Sequence, residues 1–172
     1  METCFRDFGF YTVNIDYIKH LYSKDTQVFY DTTPTYEKKP HLGILARLGG
    51  YLYCIPLTSS KSKQLQWKNI TEHNYLIYEV VSASELCTND IFKKIGKDED
   101  DTYKKLLGAL EIKKMIPVNE SLCSRVDFKK VSDAAYLSLL QKEYNFLFPH
   151  KDTILEKAKK LYVKLKLTQR LS

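Results

Sequence analysis

The sequence predicts an α+β fold, with a mainly antiparallel sheet followed by a helical C-terminal third. Two apolar runs, HLGILARL and YLYCIPL, flank Gly49 and Gly50, and a glycine pair in this setting is a strong β-hairpin signal because glycine tolerates positive φ. After residue 131, apolar residues recur at helical spacing in two successive segments. A length of 172 residues favours one core, so we expect a single domain over residues 1–172.

Shorter elements are predicted on both sides of the hairpin. Residues 9–15, GFYTVNI, alternate between apolar and polar side chains, as a half-buried strand does. A short helix is expected next, with Asp16 as its N-cap. The run YLIYEVV predicts another strand, and KKMIPV ends a further strand that we expect to begin near Leu110. Pro56 is expected at a strand end or on an edge strand, because proline cannot donate to a β-ladder.

The C-terminal third is predicted to form two amphipathic helices that are separated by Pro149 and His150. The first helix covers residues 132–148 with Ser132 as the candidate cap, and the second runs from residue 152 to about residue 167. Residues 151–172 hold seven Lys or Arg and two acidic residues, so they carry +5 of the net charge of +6. This basic end favours a polyanionic partner, and a solvated lysine face explains it equally well.

Several classes of site are disfavoured by the spacing of the reactive residues. The four cysteines are far apart, which is unlike a zinc ribbon and typical of reduced thiols in a cytoplasmic protein. No two histidines have metal-ligand spacing, and the P-loop, dinucleotide and G-x-S-x-G motifs are absent. The acidic residues 98–101 are better explained as a solvated loop than as the metal site of a nuclease. We therefore expect no metal, no cofactor, no signal peptide and no membrane span.

One polar stretch, LTSSKSK over residues 57–63, follows directly after an apolar strand pattern. A sheet holds such residues rigidly while water and substrate can reach them. Hydroxyl groups donate hydrogen bonds to phosphate oxygens, and a lysine ammonium group stabilises developing negative charge or moves protons. On spacing alone, however, an ordinary polar loop is the better interpretation of this stretch.

The chain as a whole resembles the ToxN/AbiQ family, the endoribonuclease toxins of type III toxin–antitoxin systems. The resemblance rests on FYTVNIDYIKHL, PTY, HLGILARLGGYLYCIPLTSSKSK and LGALEIKKMIPV, and it extends over residues 10 to about 162. Its most specific part is GYLYCIPLTSSKSK. The family usually has a proline where this chain has Ser60, but the spacing to Lys61 is kept. Residues 1–9 look like an extra leader, and residues 82–103 look like a probable insert.

The resemblance implies a fold and a reaction. The expected fold is a strongly twisted antiparallel sheet with flanking helices, similar to the Kid/MazF/CcdB toxins. The expected reaction is RNA cleavage without a metal, in which the substrate's 2′-hydroxyl attacks its own phosphate and leaves a 2′,3′-cyclic phosphate and a 5′-hydroxyl end. DNA lacks that hydroxyl and is therefore not a substrate.

The resemblance also assigns roles to residues. Lys61 is expected to be the central catalytic cation, and Thr58 and Ser59 are expected to bind the scissile phosphate. Tyr36 of the PTY motif matches a family tyrosine at the site, although a packed loop tyrosine is the alternative. Trp67 either stacks on a base or anchors the core. The lysines proposed to contact RNA phosphates, each of which is otherwise a solvated side chain, are Lys38, Lys39, Lys63, Lys157, Lys160 and Lys164.

The implied partner is a small repeat RNA, folded as a pseudoknot, that inhibits the toxin, is processed by it and forms a closed protein–RNA ring with it. The implied substrates are cellular or phage RNA, with a role in abortive infection. Two alternatives remain at this level. One is a non-catalytic RNA-binding module on the same scaffold, and the other is a toxin directed at a protein.

Overall fold

The computed structural model describes residues 3–30 and 41–171, and it confirms a mostly antiparallel sheet with C-terminal helices. Within the described part, the sheet order is β5-β7-β4-β3-β2-β9, with β1 beside β3, β6 beside β7 and β8 beside β4. Every pairing is antiparallel. The strands are β1 (Thr3–Phe5), β2 (Tyr11–Val13), β3 (His41–Leu48), β4 (Tyr51–Ser59), β5 (Asn74–Val81), β6 (Phe92–Lys94), β7 (Tyr103–Glu111), β8 (Ile116–Pro117) and β9 (Cys123–Arg125).

The predicted hairpin is confirmed. β3 and β4 pair from Leu48 opposite Tyr51 onward, and Gly49 and Gly50 form the turn with φ values of 59° and 87°. Both values lie in the left-handed region that glycine adopts without steric cost. The structure thereby explains why two glycines stand at this point of the chain.

Two strand predictions are wrong in detail. The strand expected to begin near Leu110 is in fact two strands, because β7 begins at Tyr103 and a helical turn at residues 112–114 separates it from β8. Pro56 is not at an edge, because β4 lies between β3 and β7 and continues for three residues past the proline. The β3 register ends at Pro56 and pairing with β7 starts at Leu57. At this change of neighbour, the ladder tolerates a residue without an N–H group.

The helices form where the periodicity predicts them, but both predicted caps are wrong. Helix α1 covers Ile15–Lys24, and the Asn14 side chain accepts hydrogen bonds from the backbone N–H groups of Asp16 and Tyr17. Helix α2 covers Ala134–Leu147, and Asp133 rather than Ser132 caps it by accepting from the Tyr136 N–H at 2.9 Å. A carboxylate at this position also complements the helix dipole.

Helix α3 covers Lys151–Leu171, and a short turn at residues 148–150 connects it to α2. The main core lies between the sheet and these two helices, with Leu140 and Leu147 of α2 and Ile154 and Ala158 of α3 fully buried. A second cluster lies under α1 and contains Ile18 and Cys54. Among the described helices, none is both long and apolar enough to cross a bilayer.

Candidate active site

The predicted hydroxyl–lysine stretch begins where β4 leaves the sheet. Thr58 and Ser59 are the last two residues of β4, and they lie opposite Ala109 and Gly108 of β7. Side chains alternate along a strand, so Thr58 and Ser59 face opposite sides of the sheet. Thr58 is 3% exposed and its hydroxyl donates a hydrogen bond of 3.3 Å to the Ala109 carbonyl. Ser59 is exposed and therefore presents its hydroxyl to solvent.

The backbone of Lys61 is held in place by a buried glutamine. The Lys61 N–H donates a hydrogen bond of 2.8 Å to Oε1 of Gln64, and the Gln64 N–H donates one of 3.0 Å to the Lys61 carbonyl. Gln64 is 1% exposed and lies in the helical turn Ser62–Gln66. Lys61 itself is exposed. The loop therefore combines a fixed backbone with an ammonium group that solvent can reach.

An aromatic side chain lies under the Lys61 ammonium group. The Nζ atom of Lys61 is 5.4 Å from the centre of the Phe29 ring, within the range of a cation–π contact. The Phe29 ring is in turn 6.1 Å from the imidazole ring of His41. His41 is 2% exposed, and burial lowers its pKa to about 4, so the imidazole is neutral near pH 7. Burial outweighs a contact of the imidazole with the Phe29 backbone, which acts to raise the pKa, and neither ring nitrogen makes a hydrogen bond of ordinary geometry among the described residues.

Lys63 and Trp67 extend the same loop. The Lys63 Nζ lies 5.9 Å from the centre of the Trp67 ring. Trp67 is partly buried and packs on the small cluster of Leu76, Leu106 and Ala109. Trp67 thereby anchors the loop against the sheet, and its stacking on a base stays a prediction. Its partial exposure still leaves an edge beside Lys63.

Three of the six lysines of α3 form a second positive cluster. Lys157, Lys160 and Lys164 line one pocket, of about 260 Å³, together with Glu72, His73 and Leu161. Residues at spacings of three and four share one helix face, which explains why these lysines come together. A pocket with three ammonium groups and one carboxylate suits an anion such as a phosphate of a nucleic acid backbone.

Three of the predicted site residues, Tyr36, Lys38 and Lys39, lie outside the described residues. Among the residues that are described, no group of three or more His, Cys, Asp or Glu side chains is arranged to hold a metal ion. Ser59 and Lys61 are both exposed at the end of β4, whereas the Thr58 side chain is buried on the opposite face, so its hydroxyl is not placed to bind a phosphate as the sequence predicted. The structure gathers the three predicted α3 lysines in a pocket of their own.

Sequence reasoning missed Phe29, His41 and Gln64, and it also missed Glu143, a buried residue of α2 whose Oε1 lies close to Gly108, the residue opposite Ser59. A glutamine three residues after Lys61 has the spacing of a capping box, which is a signal that the sequence contains. A glutamate between Leu140 and Leu147 on the apolar stripe of a predicted helix is a second signal. Phe29 and His41 have no local signal, because only the folded sheet brings them to Lys61.

Comparisons with known proteins identify the family of the chain. The sequence model of a family described as toxin ToxN, type III toxin–antitoxin system, matches residues 9–170. The endoribonuclease ToxN of Pectobacterium atrosepticum is 30% identical over 150 residues, which are 87% of this chain and 76% of that protein. The endoribonuclease ToxN of Bacillus thuringiensis subsp. kurstaki is 27% identical over 155 residues. That alignment covers 89% of this chain and 66% of the relative, just under two thirds of its length.

Three solved structures have the same fold. One, from work on a processed non-coding RNA that regulates a bacterial antiviral system, has a TM-score of 0.69 and 25% identity and covers 95% of this chain and 89% of its own. One from work on selective toxin inhibition by a non-coding RNA pseudoknot has a TM-score of 0.62 and 26% identity, with coverages of 91% and 79%. AbiQ, a lactococcal anti-phage endoribonuclease, has a TM-score of 0.61 and 21% identity, with coverages of 91% and 81%, and supports the fold alone.

Proposed function

The chain belongs to the family of ToxN toxins of type III toxin–antitoxin systems, and we propose that it is an endoribonuclease whose active site is the end of β4. The observation that carries the proposal is the geometry of residues 58–64. An exposed serine hydroxyl and an exposed lysine stand on a loop whose backbone a buried glutamine fixes. The relatives of known activity are named as endoribonucleases.

The reaction is cleavage by the 2′-hydroxyl of the RNA. The 2′-oxygen forms a bond to the adjacent phosphorus and loses its proton, while the bond from phosphorus to the 5′-oxygen breaks and that oxygen gains a proton. The products are a 2′,3′-cyclic phosphate and a 5′-hydroxyl end. The substrate supplies the nucleophile, so the protein has to bind the phosphate, stabilise the pentacoordinate phosphorus and direct two proton transfers. Hydroxyl and ammonium groups are suited to these tasks without a metal.

Each residue of the site has a role in this proposal. Lys61 supplies the positive charge opposite the phosphate, and Ser59 donates a hydrogen bond to a phosphate oxygen. The Thr58 hydroxyl already donates to the Ala109 carbonyl, so Thr58 contributes chiefly by setting the direction in which the strand ends. Tyr36 is proposed to position the phosphate or to assist a proton transfer. Lys38, Lys39 and Lys63 are proposed to contact neighbouring phosphates.

The proposed inhibitor is a pseudoknotted repeat RNA, which the toxin processes and with which it assembles into a closed ring. One structural neighbour comes from work on toxin inhibition by such a pseudoknot, which supports this partner. The α3 pocket with its three lysines is a suitable place for the backbone of that RNA. A role against phage infection is supported by the neighbour from a bacterial antiviral system.

The proposal also includes the expected domain organisation, sheet type and location of the protein. These expectations are one domain over residues 1–172, a leader over residues 1–9, an insert over residues 82–103, a cytoplasmic location and a sheet of the Kid/MazF/CcdB type. The described part of the leader contributes β1, which pairs with β3. The segment 82–103 contains β6, which pairs with β7 at the margin of the sheet.

The test is RNA cleavage by purified protein in the presence of a chelator, followed by mapping of the RNA ends. Wild type and Lys68→Ala, a control at an exposed lysine beyond the loop, are expected to cleave and to leave 5′-hydroxyl ends. Lys61→Ala is expected to lose activity about 100- to 1,000-fold. Lys61→Arg keeps the charge but cannot give up a proton, so its activity separates an electrostatic role from acid–base catalysis.

Other outcomes would contradict this proposal or favour one of the alternative functions. Full activity of Lys61→Ala would overturn the assignment of the site. RNA binding by a wild type that does not cleave would favour the non-catalytic RNA-binding module, and growth arrest without RNA binding would favour a protein-directed toxin. Cleavage that requires magnesium or leaves 5′-phosphates would contradict the proposed reaction.

A further inference from the structure

One buried carboxyl group lies beside the pairing of β4 with β7, close to the candidate active site. Glu143 of α2 is 3% exposed, and its neighbours on the same helix face are the fully buried Leu140 and Leu147. A buried carboxyl group on the apolar face of a helix destabilises the fold unless it is neutral or has a partner. The catalytic roles proposed above do not use this group.

The position of Glu143 is defined by a glycine in the neighbouring strand. Gly108 of β7 is the residue opposite Ser59. A Cβ atom at Gly108 would lie 2.6 Å from the Thr58 carbonyl oxygen and 3.0 Å from Oε1 of Glu143. The two oxygens therefore flank the same point, and the missing side chain of Gly108 is what allows the Glu143 carboxyl group to approach the end of β4.

The proximity of the two oxygens favours one protonation state of Glu143. A carbonyl oxygen and an ionised carboxylate are both hydrogen-bond acceptors, so their approach inside the core is unfavourable. A protonated carboxyl group has an O–H that can donate to the carbonyl. Burial raises the pKa of Glu143 to about 8, which agrees with the protonated form at neutral pH.

The charged groups around α2 are bound to one another. Lys142 pairs with Glu79 of β5 at 3.2 Å, and Lys105 of β7 pairs with Glu79 at 3.6 Å and with Asp90 at 3.3 Å. Tyr136 is the titratable neighbour on α2, and its pKa is raised by burial and by Glu143.

Other titratable groups packed against α2 are engaged in pairs or with aromatic rings. Arg125, which lines a cavity with α2, pairs with Asp7 at 3.3 Å. Tyr78 of β5 packs against Phe146, and His150 stacks on Phe146 and contacts Tyr75. No cation among these groups is free to compensate an ionised Glu143.

We propose that Glu143 is a positioning residue of the candidate active site. Its carboxyl O–H donates a hydrogen bond to the Thr58 carbonyl oxygen. This bond fixes the direction of the last residues of β4 and therefore the positions of Ser59 and Lys61. This inference rests on the proposed function of that site. Glu143 acts through the backbone of Thr58 and does not touch RNA. A loss of the bond displaces the last residues of β4, and a displacement of about 1 Å at a catalytic group is sufficient to slow a reaction about 100-fold.

The test compares two substitutions of similar size. Glu143→Gln keeps a neutral donor, because an amide N–H₂ can replace the carboxyl O–H, whereas Glu143→Leu removes the donor and keeps the bulk. Glu156→Gln, at an exposed position of α3, is the control for a change of charge. Each protein is assayed for kcat and KM on a short RNA between pH 6 and pH 9.5, with circular dichroism to verify the fold.

The expected result is a difference between the two substitutions that packing alone does not produce. Glu143→Gln should retain kcat within about threefold of wild type, while Glu143→Leu should lose kcat at least about tenfold with little change in KM. Above pH 8 the activity of wild type should fall relative to that of Glu143→Gln, because only the carboxyl group ionises.

Other results overturn the inference without affecting the proposed function. If wild type cleaves RNA and Glu143→Leu has the same kcat, the positioning role is wrong. If Glu143→Gln loses as much activity as Glu143→Leu, a neutral donor is not what the site requires, and the inference is again wrong. A wild type that fails to cleave any RNA contradicts the proposed function instead. In that case a hydrogen–deuterium exchange measurement at Ser59 and Lys61 still tests whether Glu143→Leu alone loosens the end of β4.

Discussion

The buried side chain of Gln64 holds the backbone of the exposed Lys61 through a hydrogen bond of 2.8 Å to the Lys61 N–H. The Lys61 carbonyl accepts a second hydrogen bond, from the Gln64 N–H at 3.0 Å. The two hydrogen bonds join Lys61 to Gln64 and so stabilise the first turn after β4. The backbone of the candidate catalytic lysine is thus held by a residue that does not face solvent.

Gln64→Ala should therefore impair cleavage more than folding. The substitution removes one hydrogen bond to a partly buried N–H, which is expected to lower the free energy of unfolding by about 1–2 kcal/mol. Activity should fall at least about tenfold because Lys61 is no longer held. Gln66→Ala is the matched control, since Gln66 belongs to the same turn but is exposed. Equal activity of the two variants in a cleavage assay would contradict the role of Gln64.

The α3 pocket predicts a difference between two adjacent lysines. Both lysines are exposed, but Lys160 lines the pocket with Glu72 and His73, whereas Lys159 does not line it. Lys160→Ala should weaken RNA binding and reduce the slope of log K against log salt by about 0.7, the value for one phosphate contact to a single strand. Lys159→Ala should change neither quantity by a comparable amount. RNA binding measured from 50 to 300 mM salt tests whether the pocket itself or the general positive charge of the surface binds the RNA. Equal effects of the two substitutions would favour general surface charge.

Glu143 predicts how stability depends on pH. Its pKa is about 8 in the folded protein and 4.5 in the reference state, so the unfolded chain releases the proton first as the pH rises. The stabilisation is therefore complete below pH 4.5 and is lost as the pH increases to about 8. The slope approaches about 1.4 kcal/mol per pH unit as an upper limit. The free energy of unfolding is measured with urea for wild type and Glu143→Gln between pH 6.5 and pH 8. Only the wild type should show a decline of this free energy as the pH rises.

His41 predicts the opposite dependence at lower pH. Burial lowers the pKa of His41 from 6.5 to about 4, so the unfolded chain takes up the proton first as the pH falls. Stability is full above pH 6.5 and is lost as the pH decreases to about 4. Between pH 4.5 and pH 6.5 this effect opposes that of Glu143, so each residue has to be tested with its own variant.

His41→Phe is the variant that isolates the histidine. It keeps an aromatic ring beside Phe29 and removes two ring nitrogens that make no hydrogen bond of ordinary geometry among the described residues. Because an unsatisfied buried polar atom costs about 1–3 kcal/mol, the variant should be at least as stable as wild type at pH 7 and clearly more stable at pH 5. Thermal unfolding at both pH values provides the measurement. A variant less stable than wild type at pH 5 would show that the contact of the imidazole with the Phe29 backbone stabilises the fold by more than its burial costs.

Much of the fold was predictable because its signals are local. The Gly49–Gly50 hairpin and the two C-terminal helices follow from turn chemistry and periodicity, and the structure confirms them. The caps at Asn14 and Asp133 were missed because adjacent polar residues compete for the same role. The position of Pro56 was missed because it depends on where β4 exchanges β3 for β7, a long-range event.

By itself, the sequence determined the family, the antiparallel hairpin and the order Thr58, Ser59, Lys61 behind an apolar strand, because these depend on residues that are neighbours in the chain. Tertiary structure alone decided which groups surround that stretch. The Phe29 ring lies beside Lys61 and His41, which are distant from it in the chain, and Oε1 of Glu143 lies in the space that a side chain at Gly108 would need. The physical reason is that an apolar pattern specifies which face of an element is buried, whereas sheet pairing and helix packing specify what it is buried against.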